Sequence, residues 1–115
     1  MTVLIWSALF RINPILMLGL ILSASAFADS GISIDRQQEL RNLLIQDCGS
    51  CHGLKMKGGL GPALLPSALA KKPAEMISNI ILDGRPGTAM PAWRPLISPE
   101  EAQWLTALLL RGSAQ

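Results

Sequence analysis

The sequence predicts an all-α domain, and three observations lead to that expectation. Three segments carry apolar residues at helical spacing and are bounded by residues that start or stop helices. The segments between them are rich in glycine and proline, which helix interiors do not accept. The one dense candidate for a strand, Ile80-Ile81-Leu82, lies inside a helical segment and fits the helical pattern better.

Residues 1–28 have the features of an export signal. Arg11 supplies positive charge, an apolar run follows over residues 15–22, and Ala26-Phe27-Ala28 places small residues where a signal peptidase recognises them. Cleavage there leaves a single domain over residues 29–115. A retained anchor is the alternative, although the apolar run is shorter than the roughly 20 residues of a spanning helix. In either case we expect an extracytoplasmic domain.

The composition restricts the possible partners and the size of the core. The formal net charge is +2 and falls to about +1 without Arg11, which does not favour nucleic acid or an anionic membrane as a partner. Both phenylalanines lie in residues 1–28 and tyrosine is absent, so the domain keeps only Trp93 and Trp104 as aromatic residues. A small domain with so little aromatic bulk is expected to need a covalent staple or a large internal ligand.

The first predicted helix covers about residues 35–48. Ser33 and Asp35 offer N-cap oxygens, and an apolar stripe follows at Leu40, Leu43 and Leu44.

The other two predicted helices lie in the second half of the chain. One opens at Pro73-Ala74-Glu75 and stops at Asp83-Gly84. We expect its buried side to hold Met76, Ile77, Ile80 and Ile81. The last begins at the capping box Ser98-Pro99-Glu100-Glu101 and ends at Gly112. One face of it carries Trp104, Leu105, Leu108 and Leu109.

The stretch Cys48-Gly-Ser-Cys51-His52 holds both cysteines and the single histidine of the chain. A disulfide would close a very small loop and stabilise little, and a redox dithiol usually follows a strand that this sequence lacks. Zinc would need a further ligand, and no second cluster is present. C-x-x-C-H is the attachment pattern of c-type haem, with two thioether bonds and an imidazole beside the iron. We therefore predict one covalently attached haem c, which would also complete the core.

Two segments are barred from helical structure by their glycines and prolines. They are residues 57–62 (KGGLGP) and residues 84–91 (GRPGTAMP). Both are free to lie along a flat ligand.

Together these features resemble the small single-haem class I cytochromes c over nearly all of residues 29–115. The resemblance rests on the stretch Cys48 to Gly53, on Gly61-Pro62, on Met90 with its flanking glycines and prolines, and on the helix that holds Trp104. It implies a fold of three to five short helices wrapped around one haem, with the first and last helices crossing near the attachment motif. Many relatives carry a glycine where Leu40 stands and an aromatic residue where Leu44 stands, so a wider or repacked crossing is expected here.

The resemblance also implies a role for individual residues. Cys48 and Cys51 would bind the haem covalently, and His52 and Met90 would be its axial iron ligands. The carbonyl of Pro62 would accept a hydrogen bond from the outer ring nitrogen of His52. The expected haem environment further includes Arg85, Trp93 and Arg94. The two arginines would pair with the haem propionates or would join Lys55 and Lys57 in docking a partner.

A closer similarity, over the run from Lys57 to Trp93, links the sequence to the NirC-type periplasmic cytochromes c of denitrifying bacteria. It implies a periplasmic, monomeric electron carrier whose partner is the cytochrome-type nitrite reductase, or a part in maturation of the modified haem of that enzyme. The residues themselves favour electron transfer, because no carboxylate pair, second histidine or nucleophile constellation accompanies the haem motif. The alternatives are a haem enzyme or nitric-oxide sensor with a displaceable distal ligand, and an assembly partner of nitrite reductase.

Overall fold

A computed structural model of the chain describes residues 31–114, which are helical and contain no strand. The helices are α1 (Ile34–Leu43), α2 (Gly49–His52), α3 (Pro66–Leu69), α4 (Ala74–Asp83) and α5 (Pro99–Arg111), and a π-helical segment, Leu44–Cys48, joins α1 to α2. The predicted all-α class is confirmed. The predicted export signal lies outside the described residues. Within residues 31–114, no helix has the length and apolar character needed to cross a bilayer.

The first helical stretch runs further than the sequence predicts, from Ile34 through to His52. Its start matches the prediction, since the Ser33 hydroxyl accepts a hydrogen bond from the backbone N–H of Arg36 at 3.3 Å. The stretch ends at Gly53, whose φ of +84° suits glycine. The C-x-x-C-H stretch is therefore itself helical and forms the end of this first helical stretch.

Helix α4 packs on α5 through a face that matches the predicted one in part, since Ile77 is buried and Ile81 packs against the core as expected. Its buried residues are Ile77, Ser78 and Leu82. The prediction that Met76 lies on the buried side is wrong, because that side chain is 49% exposed. The hydroxyl of Ser78 is satisfied within the helix, donating to the carbonyls of residues 74 and 75 at 3.2 and 3.0 Å.

Helix α5 starts as predicted and is tied to the start of α1. The Ser98 hydroxyl accepts from the N–H of Glu101 at 3.3 Å, and the N–H of Ser98 donates to Glu101 Oε2 at 2.8 Å, which completes the capping box. Arg36 donates to both carboxylate oxygens of Glu101, at 2.6 and 3.2 Å, and to the carbonyl of Leu96 at 3.0 Å. This guanidinium therefore joins the first turns of the two helices.

The core is built mainly from leucines. Leu40 and Leu44 are fully buried although many class I cytochromes c carry glycine and an aromatic residue there, and α1 still contacts α5. Trp104 is only half-buried, with the Arg41 guanidinium 5.3 Å from the centre of its ring. The buried apolar residues are Leu40, Leu44, Met56, Leu69, Ile77, Leu82, Ile97, Ala102, Leu105, Leu108, Leu109 and Ala114.

Candidate haem-binding site

Both cysteines lie at the end of the helical stretch that runs from Ile34 to His52, and both are free, half-buried thiols. Burial, with a smaller contribution from the charge of Asp47, raises the pKa of Cys48 to about 11. A thiol with such a pKa stays protonated at neutral pH, whereas thiol–disulfide exchange requires a thiolate. The microenvironment of Cys48 therefore argues against the redox-dithiol alternative.

The His52 side chain is buried, 9% exposed, and its ring orientation is defined by one hydrogen bond. Nδ1 lies 2.7 Å from the carbonyl oxygen of Pro62. A proline carbonyl can only accept, so Nδ1 carries the proton and, in the neutral ring, Nε2 keeps its lone pair. A histidine arranged in this way is suited to bind a metal through Nε2, with its outer nitrogen held by the protein.

Gly61 lies directly against the His52 ring. A Cβ at this position would be 2.7 Å from Cε1 and 2.8 Å from Nδ1 of the imidazole. No side chain fits at those distances without moving the ring or the loop. The Gly61-Pro62 pair thus contributes a contact as well as a hydrogen-bond acceptor.

The loop that follows His52 folds back onto the helical motif. The N–H of Gly58 donates to the carbonyl of His52 at 2.7 Å, and the N–H of Gly61 donates to the carbonyl of Cys51 at 2.9 Å. Met56, in the same loop, is 1% exposed and belongs to the core. These bonds hold the loop over residues 53–64 against the cysteines and the histidine.

Met90 has a half-buried side chain and lies in a closed turn. The N–H of Arg85 donates to the Met90 carbonyl at 3.2 Å. The Thr88 hydroxyl accepts from the Met90 N–H at 3.3 Å and donates to the Arg85 carbonyl at 2.7 Å. Residues 85–90 therefore have a defined path with no helix in it.

The two arginines near Met90 have different surroundings. Arg94 forms an ion pair with Asp83, through Nε at 2.9 Å and Nη2 at 2.6 Å, and both side chains are more than half exposed. Arg85 is exposed. Trp93 is half-buried, and its backbone N–H donates to the carbonyl of Leu82 at 3.0 Å. The structure thus pairs Arg94 with a carboxylate of the chain itself, a pairing that no local sequence pattern indicates.

An open cavity of about 520 Å³ lies along α4, on the side that carries Met76 and Ile80. It ends at Gly84, at the entrance to the Met90 turn, and its lining includes neither cysteine nor His52. Its lining residues are Pro73, Glu75, Met76, Asn79, Ile80, Asp83 and Gly84.

The donor set of residues 48–90 fits haem c better than zinc. It contains two thiols at the attachment spacing, an imidazole with a protonated Nδ1, and a thioether in a helix-free loop. Within the described part of the chain, no group of three or more His, Cys, Asp or Glu side chains could hold a metal ion. A zinc site of protein ligands would need such a group.

Comparison with known proteins places these features among haem proteins. Residues 35–109 match the family described as cytochrome c oxidase, cbb3-type, subunit III. Cytochrome c55X of Paracoccus denitrificans is 57% identical over 76 residues, which make up 66% of this chain and 74% of that protein.

Two solved structures resemble the chain. The c-type cytochrome NirC has a TM-score of 0.70 and 52% sequence identity, over 71% of this chain and 96% of that one. Dihydro-heme d1 dehydrogenase NirN, in complex with DHE, has a TM-score of 0.57 and 36% identity, over 60% of this chain and 15% of that one. The similarity to NirN therefore concerns a small part of a much longer chain.

Proposed function

The match of residues 35–109 and the 57% identity to cytochrome c55X show that this chain belongs to the c-type cytochromes, and we propose that it carries electrons in the periplasm through one covalently bound haem c. The observation that carries the proposal is the 2.7 Å contact between His52 Nδ1 and the Pro62 carbonyl, directly after the two free cysteines. It leaves Nε2 of a buried imidazole available to iron. The relatives named cytochrome c55X and NirC support an electron carrier over an enzyme.

Each residue of the site has a separate task in this proposal. When bound, the haem would supply an iron ion that changes oxidation state as it takes up and releases an electron. Cys48 and Cys51 attach it by thioether bonds, and the helical backbone through residues 49–52 fixes their spacing. Pro62 and Gly61 fix the His52 ring, and Met90 would bind the iron through its thioether. Iron bound by a thioether as well as an imidazole is stabilised in the ferrous state, which raises the reduction potential and would suit an electron carrier.

The acceptor in this proposal is the cytochrome-type nitrite reductase. The support is the similarity to NirC over nearly the whole of that structure. Four lysines, Lys55, Lys57, Lys71 and Lys72, are exposed on the segment between α2 and α4, where residues 53–73 contain no acidic residue. Such a segment would steer an acidic partner surface towards the cysteine end of the site.

The similarity to NirN favours a second candidate partner. Its name describes a dehydrogenase acting on dihydro-heme d1, and 36% identity connects part of it to this chain. An oxidation of that kind releases electrons, and a one-haem carrier could accept them one at a time. In this role the chain would take part in maturation of the modified haem instead of donating electrons to nitrite reductase.

Haem attachment and ligation are tested together on the purified holoprotein. Extraction with acidified acetone should leave the colour on the polypeptide, and pigment in the solvent would rule out covalent haem.

Met90→Ala should convert a low-spin ferric haem into one that binds water or added imidazole, and should lower the reduction potential. Met76→Ala is the matched control, because that methionine is exposed on α4. An unchanged Met90→Ala spectrum would reopen the enzyme and gas-sensor alternatives.

The partner is tested by stopped-flow mixing of the reduced protein with oxidised nitrite reductase. We expect electron transfer that slows as ionic strength rises, and that slows further in Lys57→Glu than in Arg111→Glu, a charge reversal at the end of α5. A rate without salt dependence would rule out docking through the lysines. Failure to reduce the enzyme, combined with reduction of the haem by a dihydro-heme d1 dehydrogenase, would favour the second candidate.

A further inference from the structure

The end of helix α4 and the Met90 turn meet at Gly84. The backbone N–H of Gly84 closes α4 on the carbonyl of Ile80 at 2.9 Å. Gly84 is buried and has φ +69° and ψ −164°, a combination that is essentially restricted to glycine. Glycine is therefore required at this position by the backbone conformation alone.

A second constraint on Gly84 comes from the segment that carries Met90. A Cβ on Gly84 would lie 2.7 Å from the Met90 carbonyl oxygen, 2.7 Å from the Pro91 carbonyl carbon and 2.8 Å from the Ala92 nitrogen. All three are backbone atoms, so no rotamer change can relieve the overlap. Any side chain at residue 84 must displace the backbone at residues 90–92 or the end of α4.

Hydrogen bonds on both sides of this contact direct where the displacement goes. Before it, the N–H of Arg85 donates to the Met90 carbonyl at 3.2 Å. After it, the N–H groups of Trp93 and Arg94 donate to the Leu82 carbonyl at 3.0 and 3.1 Å. Residues 93 and 94 are thus bonded to α4 itself, whereas within residues 31–114 the hydrogen bonds that close the Met90 turn are those of Arg85 and Thr88. We therefore expect the Met90 turn to move more easily than residues 93 and 94.

We propose that Gly84 is a positioning residue for the Met90 thioether: its missing side chain lets the Met90 backbone pack against the end of α4, and so sets where the sulfur stands. The inference rests on the proposed function, in which Met90 is the distal iron ligand. A side chain at residue 84 would push the Met90 backbone away and weaken the thioether–iron bond, so that competing ligands enter more readily.

Gly87 provides a matched control in the same turn. Its φ is +79°, so alanine is strained there as well, but among the described residues a Cβ would meet no atom within 4 Å apart from its two chain neighbours. The pair Gly84→Ala and Gly87→Ala therefore separates the contact with Met90 from the general cost of a left-handed backbone.

The experiment compares wild type, Gly84→Ala, Gly87→Ala, Met90→Ala and the double variant Gly84→Ala/Met90→Ala as holoproteins. All are purified with imidazole present, which supplies a distal ligand and stabilises the folded state of a weakly folding variant by mass action. After its removal, imidazole affinity is measured on the ferric protein, and the shifted methyl resonance of an iron-bound methionine is measured on the ferrous protein by NMR.

We expect Gly84→Ala to bind imidazole on the order of tenfold more tightly than wild type. When Met90 is displaced, a larger fraction of the molecules has an iron position that imidazole can occupy. Its methionine resonance should be weakened or shifted. Gly87→Ala should resemble wild type, and the double variant should bind imidazole no more tightly than Met90→Ala, since both changes act through one bond.

Several results would overturn the inference in distinguishable ways. Wild-type imidazole affinity and methionine resonance in Gly84→Ala, even with a lowered melting temperature, would show that Gly84 serves folding alone. Equal changes in Gly84→Ala and Gly87→Ala would assign the effect to backbone strain. If Met90→Ala itself bound imidazole like wild type, the proposed ligand would be wrong, and the inference would fall with it.

Discussion

At the scale of single residues, His52 is held from two directions. Pro62 accepts the hydrogen bond from Nδ1, and Gly61 packs against the ring edge. Gly61 does not have a positive φ, so its backbone conformation would tolerate other residues. Glycine is needed at this position because the imidazole occupies the place of a side chain.

We predict that Gly61→Ala displaces the His52 ring and lengthens its bond to Pro62. Overpacking of this kind should lower the free energy of unfolding by about 1–3 kcal/mol. The weaker bond makes the imidazole a poorer electron donor, so the reduction potential should rise. Denaturant titration and redox potentiometry of the holoprotein measure the two effects.

Gly49→Ala is the control for that prediction. It also adds a methyl group within the motif, but the new Cβ would meet Leu54 no closer than 3.3 Å, and alanine suits a helix better than glycine. Its potential should stay at the wild-type value. A Gly61→Ala protein with unchanged potential and stability would show that the ring is not confined by this contact.

At the scale of the elements, Arg36 and Glu101 connect two helices that start 65 residues apart in sequence. The Glu101 side chain caps α5 and at the same time receives two bonds from Arg36. Hydrogen bonds to Glu101 and Glu39 raise the pKa of Arg36 above its usual value, because both carboxylates stabilise the charged guanidinium. The capping box thus contributes to tertiary structure as well as to helix initiation.

We predict that Arg36→Gln lowers the free energy of unfolding by about 1 kcal/mol, a modest value because the guanidinium is partly solvated. Glu39→Gln removes the other carboxylate bound by Arg36, an exposed partner within the same helix, and should cost clearly less. Urea titrations at neutral pH make the comparison. Equal losses in the two variants would mean that the connection between the helices contributes nothing of its own.

The same pair predicts a dependence on pH. The hydrogen bond from Arg36 is the largest cause that lowers the pKa of Glu101 below its ordinary 4.5 in the folded state. Its stabilisation is therefore complete above the pKa of the unfolded chain and is lost as pH falls through the lower folded value. The stability difference between wild type and Glu101→Gln should be full above about pH 5 and shrink with further acidification. A difference that stayed constant down to about pH 2 would contradict this assignment.

At the scale of the whole molecule, the core contains no fully buried aromatic residue among the described residues. Trp93 and Trp104 are both half-buried, and leucines make up much of the rest. A small domain with such a core has little stability of its own, and a large group bound covalently would add apolar contacts to several elements at once.

We predict that Cys48→Ala/Cys51→Ala, which removes both attachment points, gives a chain without a cooperative thermal transition. Circular dichroism and amide hydrogen exchange would show partial helicity with little protection. Ser50→Ala is the control, since it alters the residue between the cysteines but keeps both thiols, and removes the hydroxyl's hydrogen bond to the Asp47 carbonyl at 2.6 Å and its longer one to the Cys51 sulfur at 3.8 Å. A sharp transition in the haem-free variant would show that the leucine core suffices.

The sequence by itself determined the elements whose signals are local. Helix starts at Ser33 and Ser98 and the stops at Gly84 and Gly112 were predictable, because a cap is decided by residues three or four positions apart. The C-x-x-C-H stretch indicated haem for the same reason, since attachment depends on spacing along one helical turn. The roles of Cys48, Cys51, His52 and Met90 as haem ligands stay predictions that the experiments above address.

Only the tertiary structure decided which faces and which distant groups meet. Met76 was expected in the core, but α4 turns Ile77 and Leu82 towards α5 and leaves Met76 exposed. No periodicity in the sequence relates the groups that meet in the ion pairs Arg36–Glu101 and Arg94–Asp83. The same holds for the close contacts of Gly61 with His52 and of Gly84 with Met90. Such contacts depend on the packing of helices and the path of loops, and a single sequence does not show that a glycine is needed because a neighbouring group occupies the place of its side chain.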